Sequence, residues 1–256
     1  MSKARLLNAL GWFKRLGRFL AQTSMRAARR ASLLYLKPFD LFEEVKLMPD
    51  ASGPALLIVV NFALQTLISV QLVRGVYVTS SRSSESLLEK FYANLPAYVS
   101  IRAATLFVFW FILFIVFWFI MYMLGSRVEG FVVFSASGYI LSAQLITFAV
   151  YVVAYTVAYA ALPTIELVSI RGTYPQLLAW TAYMYRLDKA SSGLGISLNY
   201  TLDAASYFGS LWNVLLTALM FKIVGGLSWK RTIAGSSIAV VVSWLLASIF
   251  RAAGML

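Results

Sequence analysis

The chain has no histidine and no cysteine, and only ten of its 256 residues are acidic. Without histidine, Ser-His-Asp and Cys-His catalysis, histidine-ligated haem and the usual zinc sites are excluded. Without cysteine, disulfides, iron–sulfur clusters and thiol nucleophiles are excluded as well. A metal site made only of carboxylates stays open, although no acidic residue lies inside a predicted membrane span. We therefore expect a protein that is not an enzyme and needs no cofactor.

Charge of either sign is scarce, because charged residues make up 12% of the chain and hydrophobic residues 61%. A soluble domain carries about a quarter charged residues. The deficit is concentrated in five uncharged segments, which are residues 54–73, 103–124, 131–162, 204–221 and 232–250. Each is long enough to cross the hydrocarbon core of a bilayer. The third is longer than one level crossing requires, so we expect it to tilt, to kink near Gly138 or to extend beyond the bilayer.

This pattern predicts an all-α, polytopic membrane protein with five transmembrane helices and a basic amphipathic N-terminal arm. The arm covers residues 1–53, and the transmembrane domain covers residues 54–256 with an extracytoplasmic insert at 163–203. Within the insert, residues 174–187 are apolar almost all round but short for a span. An interfacial helix and a re-entrant helix both remain open for them.

The net charge of +12 suggests either nucleic acid or anionic lipid as a partner. The chain carries no nucleic-acid-binding motif, so we expect anionic head groups and other membrane proteins as partners, and no nucleic acid. Lysine and arginine also set orientation, since they concentrate on the cytoplasmic side. Fourteen fall on one side of the five-span arrangement and eight on the other. This difference predicts a cytoplasmic N-terminus and an extracytoplasmic C-terminus.

Residues 4–20 have the pattern of a helix that lies in the membrane interface, with a basic face opposite an apolar one. The alternative is a helix that packs on a partner protein. The residues predicted to bind the lipid surface are Lys3, Lys14, Arg15, Arg18, Trp12 and Phe13.

The segment before the first span predicts a second, short interfacial helix. Pro38 suits its first turn, and Phe39 and Phe42 follow at helical spacing. We expect both phenylalanines to pack on the cytoplasmic ends of the spans. The nearby acids are expected to stay solvated or to face the basic turn between the last two spans; these acids are Asp40, Glu43 and Glu44, and the basic residues are Lys230 and Arg231.

The last span carries four small residues at intervals of four, which are Gly235, Ala239, Ser243 and Ala247. Such a ridge lets another helix approach closely. A neighbour within the same chain is the favoured interpretation, and a second chain is the alternative.

Amide side chains inside the predicted spans have two interpretations. Asn61 and Gln65 lie four residues apart in the first span, while Gln144 and Asn213 lie in the third and fourth. Such groups usually form hydrogen bonds between helices. The alternative is the lining of a transport path.

Several of these stretches resemble the Yip domain family of five-span membrane proteins, whose eukaryotic members interact with Rab GTPases. PFDLFEEVKLMPD (38–50) is similar to the segment that leads into the membrane, Gly138-Tyr139 to a Gly-Tyr pair in the third span, and residues 210–246 to the last two spans. Glu43-Glu44 replaces the eukaryotic Gly-Pro, and Ser142-Ala143 stands where the family has proline. The resemblance implies a divergent, prokaryotic-like member, and a Rab partner is not implied.

We predict a non-enzymatic membrane scaffold or interaction protein that organises membrane or recruits partners. The alternative is a membrane subunit of a transporter or pore complex. A lipid-modifying enzyme ranks third, because acids are few and histidine is absent.

Overall fold

A computed structural model describes residues 21–74, 76–80, 83–159, 165–168 and 193–252. These ranges are mostly helical, which confirms the all-α class. Five helical segments are long and apolar enough to cross a membrane, as predicted. They are Ser52–Val73, Leu95–Met123, Gly130–Val157, Tyr200–Ile223 and Trp229–Phe250. The chain is therefore an integral, multi-pass membrane protein.

The described helices are numbered here in chain order. They are α1 (21–36), α2 (Pro38–Leu47), α3 (Ser52–Val73), α4 (Leu87–Ala93), α5 (Leu95–Met123), α6 (Gly130–Leu141), α7 (Leu145–Tyr159), α8 (Gly193–Ile223) and α9 (Trp229–Ala252).

The short helix predicted before the first span is present as α2. Pro38 occupies its first turn, where a missing backbone N–H leaves no gap in the hydrogen-bond pattern. Asp40 lies in the first turn and Lys46 in the last, so each charge interacts favourably with the nearer end of the helix dipole. A gap of four residues, 48–51, then separates α2 from α3.

The third span is broken rather than continuous. Helix α6 ends at Leu141, a 3₁₀ turn covers Ser142–Gln144, and α7 continues from Leu145. The break lies one turn beyond Gly138, where a kink was expected. Gly138 is needed because a Cβ there would lie 2.6 Å from both Pro54 Cβ and Trp110 Cζ2. Glycine thus lets α3 and α5 pack closely against α6.

Two span boundaries differ from the prediction. Helix α5 starts at Leu95 instead of 103, because Pro96 fits its first turn and Arg102 donates a 2.7 Å hydrogen bond from Nη2 to Gln65 Oε1. Helix α8 starts at Gly193, so the last part of the predicted insert 163–203 is continuous with the fourth span. No acid lies inside the predicted bounds of the spans, but the observed segment Tyr200–Ile223 includes Asp203, which is exposed in its first turn. Residues 174–187 lie outside the described ranges.

A small sheet that was not predicted lies beyond the end of α3. Strand β1 (Val76–Ser80) pairs antiparallel with β2 (Ser83–Ser86) and parallel with β3 (Ile165–Val168). The run VYVT in β1 is rich in β-branched and aromatic residues, which suits a strand.

The core extends from the spans into the arm. Helix α2 packs against α6 and α8. The main cluster of buried apolar residues includes Leu34, Leu41, Phe42 and Val45 from α1 and α2, together with Phe117, Met121, Val133, Met220, Phe221 and Ala239 from the spans. The described part of the arm, residues 21–53, is thus folded onto the spans.

Candidate functional site at the junction of the arm and the spans

The junction is built around a buried arginine. Helix α1 turns Ala27, Arg30 and Leu34 toward the spans, at spacings of three and four residues. Arg30 is only 1% exposed, like the apolar residues on either side of it. Its guanidinium therefore lies in a position that would ordinarily hold an aliphatic side chain.

Every nitrogen of the Arg30 guanidinium has a partner. Nε donates to Glu44 Oε1 at 2.9 Å, and Nη2 donates to the carbonyl oxygen of Met48 at 2.8 Å. Nη1 donates to Asp50 Oδ1 and, at 3.3 Å, to the hydroxyl of Tyr139. One side chain of α1 thus joins α2, the α2–α3 connection and α6.

Asp50 completes this arrangement. The Tyr139 hydroxyl donates to Asp50 Oδ1 at 3.1 Å, while Oδ2 accepts the backbone N–H of Gly53 at 2.9 Å. Gly53 is in the first turn of α3, whose N–H groups have no partner within the helix. The backbone N–H of Asp50 also donates to Ser135 Oγ at 3.2 Å. Asp50 therefore caps the first span and binds it to the third.

Within this network, the two carboxylates of Glu44 and Asp50 match the two guanidinium groups of Arg29 and Arg30. Burial lowers the pKa of the Arg30 guanidinium, but the hydrogen bonds to Tyr139 and Glu44 and the charge of Asp50 outweigh burial and raise it above the ordinary value. Arg30 therefore stays protonated. Glu44 Oε2 also pairs with Arg29 Nη2 at 3.0 Å, where the Arg29 side chain is 71% exposed.

A second contact from the arm reaches the break in the third span. The hydroxyl of Tyr35 donates to the carbonyl oxygen of Ala143 at 2.9 Å, and its ring stacks on Trp212 with centroids 6.5 Å apart. Asn61 Nδ2 donates to the carbonyl oxygen of Leu141 at 3.3 Å. Burial raises the pKa of the Tyr35 hydroxyl above its ordinary value. These two side chains therefore supply hydrogen-bond donors to carbonyl groups at the break.

Three further contacts gather the arm and two turns at one end of the bundle. Lys46 Nζ donates to the carbonyl oxygen of Ile223 at 3.1 Å. Ser126 Oγ donates to the carbonyl oxygen of Gly225 at 2.7 Å, and Arg231 Nη1 donates to that of Leu124 at 3.1 Å. The arm, the α5–α6 turn and the α8–α9 turn are therefore neighbours.

The predicted pre-membrane residues have different surroundings. Phe42 is fully buried in the core, as expected, and Pro38 is half-buried. The prediction is wrong for Phe39, which is 53% exposed. The reason is helical periodicity, because the buried face of α2 carries Leu41, Phe42 and Val45.

The three acids of α2 also differ in their exposure to solvent. Asp40 and Glu43 are exposed, in agreement with the expectation that they stay solvated. Glu44 does not face the basic turn and is half-buried against Arg29 and Arg30. Its expected solvation is therefore wrong, and the cause is the buried arginine of α1.

Some of the four small residues of α9 pack against other helices of the same chain, and the others are only half-buried. A Cβ on Gly235 would collide with Leu124 and come within 2.9 Å of Phe221 Cε1. Ala239 is fully buried in the main core. Ser243 and Ala247 are half-buried, and Ser243 Oγ donates to the carbonyl oxygen of Ala239 at 2.7 Å.

The residues predicted to bind the lipid surface, Lys3, Lys14, Arg15, Arg18, Trp12 and Phe13, lie outside the described ranges. Within those ranges, no cluster of three or more acidic side chains could hold a metal ion.

Sequence reasoning did not single out Arg30 or Asp50, and it noted Tyr139 only for its resemblance to a family pair. A signal was nevertheless present. Arg30 falls between Ala27 and Leu34 on the apolar face of α1, and a charge on such a face needs a buried counter-charge.

These features define an integral membrane protein whose arm is docked onto its spans by a buried ion-pair network. No protein-family model, curated protein or solved structure matches the chain. The resemblance to the Yip domain family therefore stays a prediction that rests on the residues quoted above.

Proposed function

We propose that the protein is a non-enzymatic membrane scaffold, in which five spans anchor the arm and hold it at one membrane surface for partners to bind. The observation that carries this proposal is the Arg30 network. It connects α1, α2, the α2–α3 connection and α6 through contacts of a side chain that is almost fully buried. An arm connected in this way keeps a fixed orientation to the spans and can present a defined surface.

The outer surface of the arm supports an interaction role. Leu36, Phe39 and Leu47 each expose more than half of their side chains. None of them belongs to a candidate span. Exposed apolar side chains outside the candidate spans are typical of surfaces that bind another molecule.

We assign this surface to the cytoplasmic side. The majority of lysines and arginines fall on the side of the arm, and the positive-inside rule then favours a cytoplasmic arm. The contacts of Lys46 and Arg231 support placing the arm and both basic turns on one side. The C-terminus is then extracytoplasmic.

Membership of a divergent branch of the Yip domain family is part of the proposal. The residues that carry the resemblance include Leu41, Phe42, Gly138 and Tyr139, and all four are buried around the junction. A family whose eukaryotic members interact with Rab GTPases agrees with an interaction role. The proposal does not extend to a Rab partner.

A photo-crosslinking experiment tests the scaffold role. A photoreactive phenylalanine analogue at Leu36 or Phe39 should form a discrete adduct with a second polypeptide in native membranes. The matched control is the same analogue at Val153, which is similarly exposed but lies in the third span and should react with lipid alone. Adducts with lipid alone at all three positions would overturn the proposal.

Buried amides favour one alternative, a membrane subunit of a transporter or pore. Within the described part of the chain, Asn61 Oδ1 and Asn213 Oδ1 are buried and lack a hydrogen-bond partner. Unpaired polar atoms in a span are consistent with a path for polar solutes. The test is to measure solute flux through the reconstituted protein. A flux that is present in wild type and abolished by Asn61→Leu would favour this alternative over the scaffold.

A further inference from the structure

We infer that a cleft between α1 and α2 binds the phosphate of an anionic phospholipid from the surrounding membrane. The cleft has a volume of about 350 Å³. Its lining combines arginine with methionine: Met25, Arg26, Arg29, Arg30, Glu44 and Met48. This site lies within the described arm and is distinct from the basic residues predicted at 4–20.

The cleft carries more positive than negative charge. Arg26, Arg29 and Arg30 share one side of α1, since they are three and four residues apart. Two carboxylates, Glu44 and Asp50, oppose these three guanidinium groups. Both oxygens of Glu44 are already engaged, Oε1 by Arg30 and Oε2 by Arg29. An incoming phosphate therefore meets a site with net positive charge. The carboxylate that lines this site, Glu44, is already neutralised by Arg29 and Arg30.

The arginines at the mouth of the cleft remain accessible. Arg26 is exposed, and Arg29 is 71% exposed even though it pairs with Glu44. That pair involves one Nη atom, whereas a guanidinium has five N–H groups. Arginine binds phosphate through two parallel hydrogen bonds, which a lysine ammonium cannot reproduce.

The position of the cleft distinguishes a lipid phosphate from a soluble one. Met48 is separated by only three residues from Ser52, where the first span begins. The cleft therefore lies where the chain enters the membrane, at the depth of the head groups. Met25 and Met48 are more than half exposed beside the arginines, and thioether side chains suit acyl chains rather than a hydrated anion. A site with both features fits a phospholipid.

This inference rests on membrane insertion and not on the scaffold role. Lipid binding in the cleft would persist if the protein recruits no partner. Conversely, failure of lipid binding would leave the crosslinking result unaffected.

The test uses the full chain in neutral detergent, titrated with phosphatidylglycerol or phosphatidylcholine in mixed micelles. The double variant R26Q/R29Q removes two charges from the cleft. The matched control R127Q/K230Q removes two other exposed charges, one in the α5–α6 turn and one in the first turn of α9. We expect phosphatidylglycerol to bind R26Q/R29Q at least about tenfold more weakly than wild type, and the control to keep its affinity within about twofold.

Three outcomes would overturn the inference. They are equal affinity losses in the two double variants, equal affinity of wild type for the two lipids, and binding of inorganic phosphate as tightly as phosphatidylglycerol. If R26Q/R29Q melts earlier than wild type without lipid, the titration is repeated with R26K/R29K, which keeps the charge. The lysine variant should still bind phosphatidylglycerol several-fold more weakly than wild type, because it lacks the paired hydrogen bonds. Wild-type affinity in that variant would exclude an arginine site.

Discussion

At the scale of single residues, Arg30 is a charged side chain in a buried environment, where it is 1% exposed. Removing a charge from water costs several kcal/mol, and a buried ion pair is stable only when its remaining hydrogen bonds are also satisfied. Arg30 meets this condition through Glu44, Met48, Asp50 and Tyr139. The network therefore depends on how the arm is docked, since its partners come from α2, the α2–α3 connection and α6.

The first prediction compares two adjacent arginines. Arg30→Ala leaves the carboxylates of Glu44 and Asp50, which are 14% and 10% exposed, without their buried partner. Breaking a buried pair in this way costs about 3–5 kcal/mol, so the variant should melt well below wild type in detergent. Arg29→Ala removes an exposed pair worth at most about 1 kcal/mol and serves as the control. Similar melting temperatures for the two variants would contradict a structural role for Arg30.

The sequence could reveal only part of this site. Periodicity indicates that Arg30 lies on an apolar face, and that observation predicts some buried acid nearby. It does not say which one, because Asp50 is 20 residues away and Tyr139 is 109 residues away. Contacts at such separations depend on how the helices pack and not on any local pattern.

At the scale of elements, the break in the third span depends on side chains from other helices. Non-helical backbone at membrane depth is stable only where its polar groups find partners within the protein. Asn61 of α3 and Tyr35 of α1 supply them for the carbonyl groups of Leu141 and Ala143. The length of the third segment predicted a departure from a straight helix. Gly138 indicated its approximate position, one turn before the observed break. The side chains that stabilise it could not be predicted, since they come from distant parts of the chain.

The second prediction concerns Tyr35→Phe. This change removes the hydrogen bond to Ala143 while keeping a ring that can stack on Trp212, and we expect a loss of about 1 kcal/mol. The loss should depend on pH. Because burial raises the pKa of Tyr35 above 10.0, its contribution is fully present below about pH 10 and declines as pH rises through the folded-state pKa.

Thermal melting of wild type and Tyr35→Phe between about pH 8 and pH 11 measures both effects. The difference between the two proteins should be constant at the lower values and shrink at the upper ones. Tyr122→Phe is the control for loss of a tyrosine hydroxyl at an exposed position. A difference that grows with pH would mean that the Tyr35 hydroxyl ionises more easily in the folded protein than in the unfolded one.

At the scale of the whole molecule, long apolar runs predicted the five spans, because a lipid environment leaves few alternatives to an uncharged helix. The boundaries of α5 and α8 were harder to predict, since Arg102 and Asp203 interrupt the runs while the helices continue. The sheet was missed for a different reason. Its parallel pair joins Val76 to Ile165, and no local pattern specifies a partner so distant in sequence.

The last prediction tests the topology that the scaffold role requires. The chain has no cysteine, so single cysteines can be introduced on an unreactive background. Glu43 on α2, Tyr92 on α4 and Arg127 in the α5–α6 turn are all exposed. One crossing, α3, separates Glu43 from Tyr92, and a second crossing, α5, separates Tyr92 from Arg127.

Sealed, right-side-out cells treated with a membrane-impermeant maleimide should therefore label Tyr92→Cys alone. Glu43→Cys and Arg127→Cys should react only after the membrane is opened, because the positive-inside rule assigns the arm and this basic turn to the cytoplasm. Labelling of Glu43→Cys and Arg127→Cys alone in sealed cells would reverse the orientation and direct the arm toward extracytoplasmic partners. Labelling of all three would contradict the crossing of α3 and α5, and the arm could then not be an anchored surface of the kind proposed here.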